Sequence, residues 1–330
     1  MSSRFQKLAF GALALLPLAN ADEALAKTFT VQSITPGGSL GRVAQAPSAT
    51  STLTLSTGGV LSVSGGAAIF GATTDVYTVT IKCANGGGLC PASPEVFLSV
   101  NSSTGCLQTI TAFTEGNGTE TVGTVGGTTL APTFNLTPNI ANGSTGTFVV
   151  GFTAPLKSAA ACTTTGAATT TFTVGVAKSG AGSATSSLSS SPSITVYRPI
   201  AVSSTANMAF GSIVKPATGS GTVTLSNGNV LTTSSGTILT STSHTVAGFS
   251  VTGEGGEAFT LTVPTTFVMT SGTNSLTVST LPTASGTQTL SSSVGSAGSL
   301  TLAVGGTFPI STATVNGAYT GNLVVTVAYN

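Results

Sequence analysis

The C-terminal end of the chain alternates apolar with small or polar side chains at a period of two. Within residues 317–330, one register carries Leu323, Val325, Val327 and Tyr329. Such alternation predicts a β-strand with one well-filled apolar face. The backbone N–H and C=O groups of a strand need partners. The sequence therefore predicts a terminal strand that lies at the edge of a sheet or closes a β-sandwich.

Charged side chains are scarce, and this limits both the fold and the chemistry. Lys and Arg number 9 and Asp and Glu 8 in 330 residues, so charged residues make up 5% of the chain. A typical soluble domain has about 25%. Abundant Gly, Ser, Thr and Val between short apolar alternations is typical of strands joined by tight turns. The few basic residues are scattered, which argues against nucleic-acid binding.

The N-terminus has the features of a signal peptide. Arg4 and Lys7 precede an apolar run, and two small-x-small motifs follow that end at Ala21 and Ala26. This pattern predicts a signal peptide of residues 1–26. No later segment has the roughly 18 consecutive apolar residues that a membrane span requires. We therefore expect an exported protein located in the periplasm, on the cell surface or outside the cell.

The four cysteines are Cys83, Cys90, Cys106 and Cys162. An even number in an exported protein favours two disulfides, for which three connectivities are possible. We favour Cys83–Cys90, closing a Gly-rich loop, and Cys106–Cys162, joining distant strands. A zinc site is the alternative, but no Cys-x-x-Cys spacing occurs and His244 is the sole histidine.

The chain also repeats itself. The matching blocks, in chain order, are 40–43 with 210–213, 52–61 with 222–231, 77–81 with 259–263, and 166–177 with 317–328. Four matches in the same order predict an internal duplication in which loops have changed length between shared strands. Residues 178–192, between the two copies, are rich in Gly and Ser, which is typical of a flexible linker.

The predicted architecture is therefore all-β: two tandem antiparallel β-sandwiches, Ig-like or pilin-like, joined by a Gly/Ser-rich linker. Domain 1 is predicted at 27–177 and contains the disulfides, the linker is 178–192, and domain 2 is 193–330. The strands predicted in domain 2 are 194–202, 221–225, 245–252, 258–263, 275–280, 299–304, 307–314 and 322–329. The core candidates there are Phe249, Phe259, Leu261, Phe267, Leu302, Phe308 and Ile310.

Four motifs of the second copy occur together in a known pattern. They are Phe210-Gly211, Gly221-Thr222-Val223, Val304-Gly305-Gly306-Thr307-Phe308 and Gly317-Ala318-Tyr319-Thr320-Gly321. As a set they resemble an uncharacterised family of bacterial exported domains over about residues 196–330. The first copy resembles it more weakly, since it has Ala168 where the second has Tyr319. The resemblance implies a β-sandwich and no assigned activity.

The closing strand also resembles that of chaperone–usher pilins and of spore-coat-U-like secreted domains. In those pilins the glycine fourteenth from the end and the penultimate aromatic contact the assembly chaperone, and here these are Gly317 and Tyr329. The resemblance implies assembly residues Gly317, Tyr319 and Tyr329, a periplasmic chaperone as partner, and a sandwich completed by a neighbour's strand. The predicted strand at 194–202 instead favours a second copy that is complete by itself.

Residues for catalysis are few and apart. His244 lies in a Ser/Thr-rich turn of the second copy, whereas Asp75, which a Ser/His/Asp triad would need, lies in the first. Glu254 and Glu257 flank a Gly-Gly turn and are expected to be solvated rather than to form a carboxylate pair for glycoside hydrolysis. Residues 115–120 are the best of the poor candidates for a calcium site. We predict no enzymatic activity, no metal and no cofactor.

Three hypotheses of function follow. The leading one is a structural or adhesive surface protein, a fibre- or pilus-like subunit that assembles through its terminal strands with copies of itself or other subunits. The second is a carbohydrate-binding or tip-adhesin module in which domain 1 binds the ligand; the absence of Trp weakens it. The third, a secreted hydrolase, is the least favoured because ionisable groups are so few.

Overall fold

The computed structural model describes residues 28–71, 75–83, 90, 93–239 and 242–330. All regular structure in these residues is β-strand, which confirms the predicted all-β class. A membrane-spanning helix is not found among them. The predicted signal peptide, 1–26, and the Gly-rich loop between Cys83 and Cys90, 84–89, lie outside the described residues.

In the N-terminal part, 28–197, the described residues form fifteen strands. They are β1 (Phe29–Thr35), β2 (Ser39–Ala44), β3 (Ser51–Leu55), β4 (Leu61–Ser64), β5 (Ala68–Ile69), β6 (Tyr77–Cys83), β7 (Pro94–Ser103), β8 (Ala112–Asn117), β9 (Thr121–Val122), β10 (Gly126–Thr128), β11 (Ala131–Thr137), β12 (Thr145–Leu156), β13 (Gly166–Lys178), β14 (Ser186–Ser190) and β15 (Ser193–Tyr197). One sheet has the order β1-β6-β12-β3-β4, with β8 also on β12, and the other has β10-β11-β7-β13-β15-β2-β5, with β14 on β13 and β9 on β11.

Side chains from both sheets meet in one core. The ring of Tyr77 on β6 lies 6.3 Å from that of Phe152 on β12 and 6.2 Å from that of Phe172 on β13. These aromatic side chains are almost completely buried. Each contributes about 1.5–3 kcal/mol through the apolar surface that it removes from water. Period-2 alternation places them inward, as the burial pattern of β6, in which every second residue is buried, illustrates.

In the C-terminal part, 200–330, twelve strands are formed by the residues that the structure describes. They are β16 (Ala201–Ala206), β17 (Ile213–Val214), β18 (Ser220–Leu225), β19 (Leu231–Thr233), β20 (Thr237–Ile238), β21 (Ala247–Glu254), β22 (Ala258–Thr262), β23 (Thr266–Ser271), β24 (Asn274–Pro282), β25 (Gly286–Thr289), β26 (Ala297–Ser311) and β27 (Thr326–Tyr329). The main sheet has the order β16-β21-β26-β18-β19, with β24 also on β26 and β23 on β24. Two small sheets have the orders β25-β22-β27 and β17-β20.

The same path of strands occurs in both parts. The order β1-β6-β12-β3-β4 has the same connectivity as β16-β21-β26-β18-β19, and β13 on β7 corresponds to β27 on β22. The sequence match of 52–61 with 222–231 falls on equivalent strands. The match of 77–81 with 259–263 does not, because β6 corresponds in topology to β21 and not to β22. Phe259-Thr-Leu-Thr-Val263 resembles β6 because both are apolar alternations, a pattern that any half-buried strand shares.

The boundary between the two parts differs from the prediction. Within the expected linker, 178–192, the strand β14 pairs antiparallel with β13. The Ser-rich sequence forms a strand there because hydroxyl pairs join it to β13, Thr173 Oγ1 to Ser189 Oγ at 2.7 Å among them. The expected strand 194–202 is also two strands. β15 pairs with β13 and, in parallel, with β2, whereas β16 belongs to the C-terminal part.

Two predicted strand boundaries in the C-terminal part were wrong. The strands expected at 299–304 and 307–314 are one strand, β26, that runs through Gly305 without a turn. A Cβ on Gly305 would lie 2.1 Å from the carbonyl oxygen of Leu225, so this glycine serves close strand packing rather than a turn. The strand expected at 322–329 begins only at Thr326. The seven core candidates are all buried or packed against a buried cluster.

The two favoured disulfides are present. Cys83 is bonded to Cys90, and Cys106 is bonded to Cys162. Three of these residues, Cys83, Cys90 and Cys106, are buried in the core of the N-terminal part. The second bond encloses a much longer stretch of chain, with a sequence separation of 56 against 7.

Candidate functional site

The outer edge of β13 is covered by a strand along most of its length. β7 pairs with one edge of β13. On the other edge, the N-terminal half of β13 pairs with β15, through Thr169 and Ser193 among others, and the C-terminal half pairs with β14, through Phe172 and Ser190. The two short strands act as one antiparallel strand interrupted at Pro192. β14 also packs beside β1, where the Val31 N–H donates to Ser186 Oγ at 3.3 Å. Residues 186–197 therefore close one side of the N-terminal part.

The equivalent edge in the C-terminal part has no such cover among the described residues. The sequence match of 166–177 with 317–328 aligns Thr169 with Thr320. On the side opposite this edge, the two threonines accept equivalent hydrogen bonds. The carbonyl of Thr169 accepts the N–H of Thr104 at 2.8 Å, and the carbonyl of Thr320 accepts the N–H of Thr270 at 2.8 Å. On the outer side Thr169 faces Ser193, whereas β27 has β22 as its sole strand partner in the described chain.

A groove lies where the covering strand would run. Its first section, about 530 Å³, is lined by residues 204, 206–208 and 210 at and after the end of β16, by side chains of β21 and β23, and by residues 319–324. Its second section, about 690 Å³, shares Met208, Phe210, Met269 and Tyr319 with the first. The groove is apolar at these side chains, and Lys215 is the one charged residue among the described residues that line it. This composition suits a strand with apolar side chains at alternate positions.

Tyr319 and Gly317, two of the predicted assembly residues, lie at this groove. The Tyr319 hydroxyl donates to the carbonyl of Val315 at 2.9 Å, and the ring lines both sections. A Cβ on Gly317 would meet Ser271 Oγ, so a side chain there would require the Ser271 hydroxyl to move. In the N-terminal part the residue equivalent to Tyr319 is Ala168, and Ile194 of β15 faces it in register.

The third predicted assembly residue, Tyr329, lies elsewhere. Its hydroxyl accepts a hydrogen bond from the Glu254 N–H at 2.6 Å and donates one to the carbonyl of Arg198 at 3.0 Å. Its ring stacks on that of Phe70, with the centroids 4.9 Å apart. Burial, as the main cause, raises the pKa of Tyr329 to about 12. Tyr329 is thus part of the contact between the two parts of the chain, and Gly317 and Tyr319 are not.

The ionisable residues considered for catalysis are dispersed. His244 Nε2 lies 3.1 Å from the carbonyl oxygen of Asn229, at a turn. Glu254, expected to be solvated, is fully buried and forms an ion pair with Arg198 at 3.0 Å. Glu257 is paired with Arg42 at 3.6 Å. Among the residues that the structure describes, no three His, Cys, Asp or Glu side chains are grouped as metal ligands.

The weak calcium candidate at 115–120 contains two unusual carboxylates. Glu115 Oε1 and Glu120 Oε2 are buried without a hydrogen-bond partner. Burial raises the pKa of both groups. Glu120 is packed against Gly146, where a Cβ on the glycine would lie 2.5 Å from Glu120 Cγ. These carboxyls belong to the packing of the N-terminal part.

Comparison with known protein families gives a match in the C-terminal part. Residues 200–329 match the family model of a domain of unknown function, DUF4402. This confirms the resemblance to an uncharacterised family over about residues 196–330, and the match runs from the connection after Arg198 to Tyr329. No curated protein matches the chain. The resemblance of the closing strand to that of pilins stays a prediction.

Proposed function

We propose that this protein is an exported, non-enzymatic structural or adhesive surface protein whose C-terminal part accepts a β-strand along its open edge. The observation that carries the proposal is the difference between the two repeats. The edge of β13 is covered by residues 186–197, whereas the equivalent edge at 317–328 borders a groove. An uncovered edge offers unpaired N–H and C=O groups that a strand from another molecule would satisfy.

Three further features support the same function. Two disulfides suit an oxidising compartment outside the cytosol. The low charge of the chain leaves faces that repel one another little. The repeated strand order, with side chains of facing sheets meeting in a core, is the arrangement expected of two tandem sandwiches. Together these features favour a protein that functions through contact with other molecules.

The first experiment asks whether the open edge binds a strand. A synthetic peptide with the sequence of residues 186–197 is the probe, because that segment covers the equivalent edge in the N-terminal part. A scrambled peptide is its control. Binding to the chain from residue 27 onward is followed by amide chemical shifts, and we expect changes concentrated at residues 319–327. Sedimentation of the free protein between micromolar and millimolar concentration then tests self-association.

A pair of matched variants tests the position of the edge. Val324→Lys places a charge beside the groove at a side chain that is 65% exposed, and Val230→Lys makes the same change at one that is 58% exposed and away from the groove. Charged side chains oppose edge pairing. We expect the first variant to weaken peptide binding about tenfold, the equivalent of about 1.4 kcal/mol, and the second to leave it unchanged. A wild-type protein that stays monomeric and does not bind the peptide would refute the proposal.

A further inference from the structure

The N-terminal and C-terminal parts meet around one fully buried carboxylate. Glu254, at the end of β21, is 0% exposed, and its Oε2 lies 3.0 Å from Nη1 of Arg198. Arg198 follows β15 directly and begins the connection between the parts. Burying a charge is costly unless it is paired and hydrogen-bonded. The charged form of Glu254 is therefore stable in this buried position only when its ion pair and hydrogen bonds are formed.

Both carboxylate oxygens of Glu254 have two donors. Oε1 accepts from Thr165 Oγ1 at 3.0 Å and from the Gly295 N–H at 2.5 Å, and Oε2 accepts from the Arg198 N–H at 3.1 Å as well as from Nη1. The guanidinium also donates to Thr165 Oγ1 and to the carbonyl of Thr163, both at 2.7 Å, and to that of Gly295 at 3.2 Å. Residues from both parts thus share one charge-assisted network.

An aromatic layer lies beside this network. The ring of Phe70 is 5.2 Å from that of Tyr197 and 4.9 Å from that of Tyr329, so a C-terminal ring stacks on an N-terminal one. The guanidinium of Arg42 lies 5.2 Å from the Phe70 centroid and pairs with Glu257 at 3.6 Å. The layer adjoins the ion pair, because the Tyr329 hydroxyl accepts the Glu254 N–H and donates to the Arg198 carbonyl.

A disulfide holds the N-terminal side of the network. Thr163 and Thr165 follow Cys162, which is bonded to Cys106 of the core. The carbonyl of Cys162 also accepts a hydrogen bond from Gln45 Nε2 at 3.3 Å. The segment that contacts Arg198 and Glu254 is therefore attached covalently to the N-terminal core.

We propose that this junction is a lock that makes the two parts one rigid body. Mobility is the usual behaviour of tandem units connected by a short segment. Here any other orientation breaks the ion pair and hydrogen bonds of Glu254 and separates the rings of Phe70 and Tyr329. The buried pair, supported by the Cys106–Cys162 bond, selects a single orientation. The lock does not depend on the strand addition proposed above.

Residual dipolar couplings of backbone amides test the lock in the full exported chain. In the wild type we expect the couplings of 28–197 and of 200–330 to fit one alignment tensor with the orientation described here. Glu254→Gln removes the buried charge at constant shape, and we expect two different tensors. Glu95→Gln removes a charge away from the junction, where Glu95 accepts the Gly180 N–H at 3.0 Å, and should retain one tensor. Unchanged shifts of core amides away from the junction show that each part is still folded.

Two further variants keep the test decisive if Glu254→Gln folds poorly. Thr165→Val removes the hydroxyl shared by Arg198 and Glu254, and Cys106→Ser/Cys162→Ser frees the segment that carries it. Each should raise hydrogen exchange at the amide of Gly295 by about tenfold or more, because a hydrogen bond to a charged group is stronger than one between neutral groups. Two tensors in the wild type, or one tensor in every variant with no change in exchange, would overturn the lock.

Discussion

The hydroxyl of Tyr329 donates a hydrogen bond to the backbone carbonyl of Arg198 at 3.0 Å, across 131 positions of sequence. The same oxygen accepts the N–H of Glu254 at 2.6 Å. Tyr329 is on β27, and the segment before β27 lines the groove. One short strand thus connects the proposed strand-binding edge with the contact between the two parts.

Removing that hydroxyl should destabilise the protein. Tyr329→Phe leaves the Glu254 N–H and the Arg198 carbonyl without their partner in a half-buried place, so we expect the free energy of unfolding to fall by about 1–3 kcal/mol in urea titrations. Tyr319→Phe is the matched control, because its hydroxyl donates to the exposed carbonyl of Val315; we expect a change within about 0.5 kcal/mol. Equal losses in both variants would contradict the prediction.

Stability should depend on pH through Glu120. Burial raises the pKa of this carboxyl in the folded state above its ordinary value, so the folded state binds the proton more tightly than the unfolded state. Its contribution to stability is fully present below the unfolded pKa and is lost as the pH rises through the folded pKa. Glu120→Gln mimics the protonated form, and we expect it to unfold at higher urea concentration than the wild type at pH 7. Parallel pH profiles for both proteins would refute this.

The glycine within β26 should be intolerant of a side chain. A Cβ at Gly305 would lie 2.1 Å from the Leu225 carbonyl oxygen, whereas one at Gly228 has its nearest neighbour, Ser226 Oγ, at 3.8 Å. We expect Gly305→Ala to lower the free energy of unfolding by about 1–3 kcal/mol, the usual cost of overpacking. Gly228→Ala is the control and should be close to neutral in the same thermal or urea unfolding measurement.

The two disulfides should differ in their contribution to stability. In the chain-entropy account, a bond that closes a longer loop restricts the unfolded state more. With separations of 56 and 7 residues, we expect losses of about 4 kcal/mol for Cys106→Ser/Cys162→Ser and about 2 kcal/mol for Cys83→Ser/Cys90→Ser. Urea unfolding of the two double variants measures the difference, and the reverse order would contradict it.

Much of the strand content could be predicted from the sequence, because half-buried strands alternate. β18, β21, β22 and β24 were predicted with boundaries close to those observed. Glycine misled the prediction at Gly305, since a residue without a side chain serves both turns and close strand packing, and local sequence does not separate the two. The Ser-rich strand β14 was missed because it forms only when the edge of β13 is there to pair with it.

The candidate site was partly predictable. Gly317 and Tyr319 were selected from their positions in the closing strand, and both lie at the groove. The role of Glu254 was missed because its partner, Arg198, is 56 residues away and the surrounding Glu-Gly-Gly-Glu sequence is typical of a solvated turn. An isolated Arg directly after a strand, in a chain with so few charges, was the one signal that pointed to a buried ion pair.

The way in which residues 186–197 cover β13 has a consequence for symmetry. The segment that completes the first repeat follows it in sequence, so donor and acceptor surfaces are different patches of the molecule. A contact of that kind between separate molecules is heterologous, and unless the rotation happens to close a ring it propagates without limit. Polymers built this way would be polar. One end would expose an uncovered strand edge, and the other would expose the segment that covers such an edge.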